Sequence, residues 1–169
     1  MASGESRPGS GLEGPTRPAL WIARAHLAAR SGLHEARIEH LLDRYGSLVH
    51  EVLELVAADP TLREPLAGAP DHLRAEAVYA ASHEGARHLD DVLARRTRIS
   101  IETFDRGVGA AEEVARLVAP ILEWSDEQVD REVEHYRMRV EAERESQRMP
   151  DDETADAARM GAPEIVPVR

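Results

Sequence analysis

"HLDDVLARRTRIS", residues 88–100, decides how the rest of the chain is read. Asp90 and Asp91 stand one turn before Arg95, Arg96 and Arg98. On a helix, Asp91 and Arg95 are four apart and share a face, an exposed pair worth about 0.3 kcal/mol. Arginines in a last turn also meet the negative end of the helix dipole. Those two effects account for one or two of the cations, not for three, because like charges this close repel unless an anion meets them. The guanidinium fork suits carboxylates and backbone carbonyls. The cluster therefore points to an acidic or carbonyl-rich surface, inside this domain or on another. At ordinary helical spacing Val92 and Arg96 are also four apart, which predicts that Arg96 is the partly buried member and Arg95 an exposed one.

Working outward, the segment "DHLRAEAVYAASHEGARHLDDVLARRTR" predicts helix from Asp71, a good N-cap, with Gly85 dividing it into two short helices. On the N-terminal side, Pro18 suits a first helical position, "ALWIARAHLAAR" follows as good helix formers, and Gly32 ends that segment. Ile38, Leu41, Leu42 and Tyr45 make a second helical stripe stopped by Gly46. Leu48, Val49, Val52, Leu53 and Val56 make a third, closed by Pro60, and "TLREPLAGAP" is a loop. On the C-terminal side "ISIETFDRG" alternates weakly, like a short strand. "VGAAEEVARLVAPILEW" is helical, with Pro120 set to kink or end it. Ser125 and Gln128 form a capping-box pattern before a last helix to about Ser146, which carries a narrow seam of Val129, Val133, Tyr136 and Val140. The expected fold is all-α, a compact multi-helix domain over residues 18–148. A disordered leader, residues 1–17, and a disordered tail, residues 149–169, flank it.

The composition narrows the chemistry. The chain has 169 residues and a net charge of -11. Aromatics are 4%, so the core has to be built from Ala, Val, Leu and Ile. All 21 basic residues are arginine, and neither lysine nor asparagine occurs, the bias of a GC-rich bacterial genome. Without cysteine there is no disulfide, no thiolate metal site and no thiol nucleophile. An acidic balance without a basic face argues against nucleic acid as a partner. No apolar run approaches the roughly 20 residues that span a bilayer, and there is no signal peptide, so the expected compartment is the cytoplasm.

Three patterns imitate known chemistry and fail on spacing, residue type or place in the chain. "HEGARH", residues 83–88, resembles the zinc motif H-E-x-x-H with one residue too many. His83 and His88 then point about 140° apart on a helix, which predicts no shared metal. "RGVGAAE", residues 106–112, imitates the dinucleotide fingerprint, but Glu112 stands at its third position and helices surround it, so a turn and helix start is expected. Asp90 and Asp91, as neighbours on a helix, diverge by about 100°, and Asp151 and Asp152 fall in the expected tail, so neither pair is expected to hold Mg²⁺ or do acid–base work.

The stretch "AEAVYAASHEGARHLDDVLARRTRISIETFDRG", with "LLDRYG" at residues 41–46 and "EWSDEQVDREVEHYRMRVEAE" near the end, resembles the C-terminal helical domain of FAD-dependent glycerol-3-phosphate dehydrogenases and α-glycerophosphate oxidases. The resemblance covers about residues 19–148. It implies a family that takes a hydride from sn-glycerol 3-phosphate onto FAD and yields dihydroxyacetone phosphate, with a quinone or O₂ as final acceptor. It also implies that flavin and substrate are held by a large N-terminal part with no counterpart in these residues. No catalytic, cofactor-binding or metal residue carries over, and no cofactor is expected in this chain. Glu84, Asp91, Arg95, Arg96 and Arg98 are assigned to a structural, interdomain motif, with Arg98 expected to dock on a flavin-binding subunit or domain. The rival expectation is a stand-alone helical interaction module.

Overall fold

A computed structural model describes residues 17–148, with side chains from residue 22 onward. The expected leader (apart from residue 17) and tail, and the pair Asp151/Asp152, lie outside the described residues. The chain divides into two compact units, Met1–Ser47 and Leu48–Arg169.

The described part of the first unit is a helical hairpin, α1 (Arg17–Ser31) and α2 (Glu35–Tyr45). Gly32, at φ 70°, ends α1 as its spacing predicts, and Gly46, at φ 55°, ends α2. His34 opens α2 by accepting the Ala36 N–H on Nδ1, at 3.2 Å. Arg24 on α1 ties the hairpin by reaching Glu35 (3.3 Å) and Glu39 (2.8 Å) on α2.

The second unit begins with α3 (Val49–Ala58), which ends before Pro60, as expected. Asp59 accepts the Thr61 N–H and starts a 3₁₀ turn over Pro60–Arg63. The next segment departs from the sequence reading. Instead of a loop running into a helix at Asp71, the chain makes a small antiparallel hairpin, β1 (Pro65–Leu66) and β2 (Ala69–Leu73), with Leu66 facing Ala69 and Pro65 facing Leu73. Asp71 lies in β2 and is not an N-cap. Helix α4 (Arg74–Ser82) starts three residues later, and it is Glu76, one turn inside, that reaches back to accept the Leu73 N–H at 2.8 Å. The true cap escapes the sequence pattern because it lies inside the helix, whereas an aspartate just upstream is the commoner signal.

Gly85, at φ 69°, breaks the helix as expected. A π-helical turn follows over Asp91–Arg96, then α5 (Ile99–Glu102), α6 (Ala111–Leu122) and α7 (Asp126–Ser146). The strand-like "ISIE" is thus a single helical turn, with Ile99 buried and Ile101 exposed. Pro120 sits inside the last turn of α6, which runs only to Leu122 before Glu123 turns left-handed at φ 56°. Ser125 caps α7 by accepting the Gln128 N–H, one half of the expected capping box, whereas the Gln128 side chain turns to Glu132 and Arg131.

The core of this unit is aliphatic and small. Ala77, Ala80 and Ala81 of α4 meet Ala111, Val114, Ala115 and Val118 of α6, and the seam Val129, Val133, Tyr136 and Val140 of α7 closes over them. Alanines let neighbouring backbones approach, which is how a chain so poor in aromatics packs tightly. The hairpin turn shows this most sharply. A Cβ added to Gly68 would lie 2.3 Å from both the Ala110 nitrogen and the Gly109 carbonyl carbon, so the turn rests directly on the backbone before α6. Glu113 secures it from α6 by accepting the Ala67 N–H (2.8 Å) and Arg74 Nε (2.6 Å).

Candidate functional site

The arginine motif is built on the π-turn. Its geometry follows from one hydrogen bond: the Thr97 N–H donates to the Val92 carbonyl at 2.9 Å, five residues back instead of four. The Thr97 hydroxyl donates to the same oxygen at 2.7 Å. The wider turn brings Thr97, not Arg96, beneath Val92. Thr97 is fully buried and Arg96 is exposed. The expectation that Arg96 is the buried member is therefore wrong, because it assumed 3.6 residues per turn where the chain winds more loosely.

Arg95 is exposed, as expected, and its pairing answers why two aspartates precede the arginines. Its Nη1 bonds Asp91 Oδ1 at 2.6 Å, four residues back, and Asp90 Oδ2 at 2.7 Å, five back. Both aspartates meet one guanidinium because the π-turn places the fifth residue beside the fourth. Asp90 also faces Arg139 of α7 at 3.7 Å. The second oxygen of Asp91 turns to the backbone. Its Oδ2 accepts the N–H groups of Arg87 (3.0 Å) and His88 (3.1 Å), tying down the strap between α4 and the π-turn. Burial alone would raise the Asp91 carboxyl, but these donors and Arg95 outweigh it and hold the group below the usual carboxylate range.

Arg95→Ala should cost well under about 1 kcal/mol, the scale of a half-exposed pair. Thr97→Val should cost more, about 1–2 kcal/mol, since it removes a buried hydrogen bond at nearly constant volume. Urea midpoints of the two variants check the order; a larger loss in Arg95→Ala would reverse the assignment of roles.

His88 and Leu89 are held from above by Glu132 of α7, a carboxylate only 2% exposed. Its Oε1 accepts His88 Nδ1–H (3.0 Å) and Gln128 Nε2–H (3.2 Å), and its Oε2 accepts the Leu89 N–H (2.9 Å). His83 goes elsewhere. It stacks on Tyr79 with ring centroids 4.7 Å apart and lies 2.7 Å from the Ser82 hydroxyl. The two histidines of "HEGARH" thus serve different partners. Glu84, half-buried, adds its charge to a Tyr79 phenol that burial, a hydrogen bond to Glu51 and the Glu51 charge already push up to about 12.

The imitation of a dinucleotide fingerprint resolves the same way. The Asp105 carboxylate accepts the Gly107 N–H (3.0 Å) and the Gly109 N–H (2.6 Å), so an anion already fills the nest where a pyrophosphate would sit. Burial raises the Asp105 carboxyl, but the Gly109 and Gly107 N–H donors outweigh it and hold the group below the usual range. Gly107 itself is left-handed at φ 80°, and a Cβ there would meet Ile99 at 3.0 Å. These residues do not fit FAD.

Asp91 and Asp105 share a sign. A carboxyl depressed in the fold contributes stability that is fully present above its unfolded value near 4. That contribution fades as pH falls from there through the lower folded values. Asp91→Asn removes the Asp91 share, so the gap in thermal midpoint between wild type and Asp91→Asn should be widest near neutrality and shrink below about pH 4. A gap constant to pH 3 would contradict the hydrogen-bond assignment.

Sequence reasoning missed Thr97, Glu132, Asp105, Glu113 and the buried His72, whose Nε2 meets both the Thr97 carbonyl (3.1 Å) and Glu102 (3.2 Å). Glu132 had a visible sign: Gln128, Glu132 and Tyr136 are spaced by four, which places a carboxylate on the buried seam of α7. Asp105 sits two residues before a glycine, the spacing at which an Asx side chain bonds its own turn.

The comparisons with known proteins bear on the whole domain. The family model described as the C-terminal domain of alpha-glycerophosphate oxidase matches residues 10–129. Glycerol-3-phosphate dehydrogenase 2 of Mycobacterium tuberculosis is 56% identical over 139 residues, which is 82% of this chain and 24% of that protein. The glycerol-3-phosphate dehydrogenase of Mycobacterium leprae is 55% identical over the same length, and that of Synechocystis is 30% identical over 109 residues, 64% of this chain and 20% of the relative. The chain thus spans about a quarter of the length of the curated mycobacterial relatives it matches. No solved structure matches it. No described helix is long and apolar enough to cross a membrane. With two-thirds of its length inside the family model and the arginine segment among the matched residues, the chain belongs to the family of alpha-glycerophosphate oxidase C-terminal domains.

Proposed function

We propose that this chain serves as the C-terminal helical domain of a bacterial, cytoplasmic, FAD-dependent glycerol-3-phosphate dehydrogenase. It supports a flavin-bearing part and carries out no redox step itself. The flavin-bearing part, on the same or a separate polypeptide, takes the hydride from sn-glycerol 3-phosphate onto FAD and releases dihydroxyacetone phosphate. The observation that carries this reading is the state of the Gly-x-Gly turn. Its N–H groups are spent on Asp105, so the one sequence feature that imitates a flavin cradle is a structural turn. Arg95, Asp90 and Asp91 are likewise engaged within the domain, bracing the π-turn and the strap before it.

The purified chain should be colourless and should not reduce a dye when given glycerol 3-phosphate. Grafted in place of the matching 139 residues of the Mycobacterium tuberculosis relative, it should support a yellow protein with glycerol 3-phosphate-dependent dye reduction. Stoichiometric flavin on the chain alone, or a colourless graft, would overturn the proposal.

A further inference from the structure

The sequence contains one phenylalanine, and the fold leaves it outside. Phe104 is 102% exposed, and Ile101, three residues earlier, is 67% exposed. In a chain whose core is built from alanine and valine, large apolar groups turned to solvent are not filling a core. Three residues before Ile101 stands Arg98, exposed, with no hydrogen-bond or ion-pair partner for its guanidinium among the described residues. Arg98 is also left-handed, at φ 60°, and so is Arg106, again at φ 60°. Two non-glycine residues in this unfavourable region bracket the exposed pair, the kind of local strain that persists only when surroundings impose it.

The segment between them is nevertheless firmly held. His72 bonds the Thr97 carbonyl, the Thr103 hydroxyl donates to Ile99 (2.9 Å), and the Tyr136 hydroxyl donates to the Arg106 carbonyl (2.5 Å). Asp105 fastens the turn beyond, and Arg106 pairs with Glu143 of α7. Phe104 and Ile101 are thus presented on a fixed support, with Arg98 beside them.

We infer that Arg98, Ile101 and Phe104 form the docking surface of this domain for the flavin-bearing part, a deepening that rests on the function proposed above. The occupant is that part's surface, offering a carboxylate to Arg98 next to an apolar recess for Phe104. Two observations select it. The mycobacterial relatives extend over about four times the length matched here, and the family model is that of a C-terminal domain, so a large neighbour accompanies this fold in them. The chemistry also points one way: in a chain of net charge -11, a guanidinium without a partner among the described residues, set beside a fully exposed aromatic, fits an anionic, apolar-lined acceptor, the composition of an interface anchor.

The test uses the same graft and two variants chosen to spare the fold. Glycine adopts the left-handed conformation freely, so Arg98→Gly removes the guanidinium and relieves strain, and Phe104→Ser alters a side chain that packs on nothing. The free chains should keep their thermal midpoints or, for Arg98→Gly, rise slightly as the strain is relieved. In the graft, each variant should lower the temperature of flavin release by roughly 5 °C and reduce dye-reduction activity. An active graft with flavin release unchanged in both variants overturns the docking surface and leaves the proposed function standing. A graft without flavin overturns the function, and this surface with it. A free chain that sediments as a dimer, returned to monomer by Phe104→Ser, overturns the inference in favour of a second copy.

Discussion

Gly68→Ala is expected to destabilise the domain by about 3 kcal/mol, the upper range for an overpacked site. The added methyl would lie 2.3 Å from two backbone atoms, Ala110 N and Gly109 C. No rotamer change relieves such a contact, because neither neighbour is a side chain. Either the hairpin lifts away or the strand of chain before α6 retreats. Lifting the hairpin pulls Ala67 and Arg74 from Glu113 and loosens buried Leu66 and Leu73, so the loss spreads beyond one methyl. Gly85→Ala is the control. Gly85 is left-handed at φ 69° but its Cβ would meet nothing within 4 Å, so only the backbone cost of about 1 kcal/mol applies. Denaturant midpoints of the two variants measure the difference. Equal losses would show that the hairpin does not rest on the backbone of residues 109–110.

Glu132→Ala should be comparably severe, about 3 kcal/mol. The carboxylate receives three donors while almost wholly buried, and two of them, the Leu89 N–H and His88 Nδ1–H, belong to the strap that opens the π-turn. Removing it leaves a buried N–H without an acceptor, which costs the full desolvation of that group. Glu132→Gln keeps one oxygen for Leu89 but presents an amide nitrogen where a second acceptor is needed, so its loss should be intermediate. Amide exchange localises the effect: Leu89 should lose protection in Glu132→Ala well before residues of α6. A loss under about 1 kcal/mol, or uniform exchange, would show that Glu132 is not one of the braces.

Much of this fold is written in punctuation. Gly32, Gly46 and Gly85 break helices where expected, and Ser125 caps where expected, because backbone conformations that exclude a Cβ and orphan helical N–H groups are local problems with local solutions. Sequence reading fails where the solution is not local. The Glu76 cap works from inside α4, and the hairpin ahead of it is held by Glu113 on α6. The buried member of the arginine motif lies one residue beyond the expected Arg96, at Thr97, because a π-turn is invisible to any pattern counted at 3.6 residues. The family was legible from the arginine segment itself, whereas the roles of its residues needed the distances.

The π-turn also gives the chain a reserve of length. Val92 and Thr97 are joined across five residues by a bond that an ordinary helix makes across four. Deleting Ala94 would bring them to the ordinary spacing, with the same donor, the same acceptor and the same neighbours on either side. A one-residue deletion at this spot is therefore absorbed, whereas an insertion would demand a still wider loop of helix. Natural length variation in this segment is expected to run in one direction, toward the shorter form.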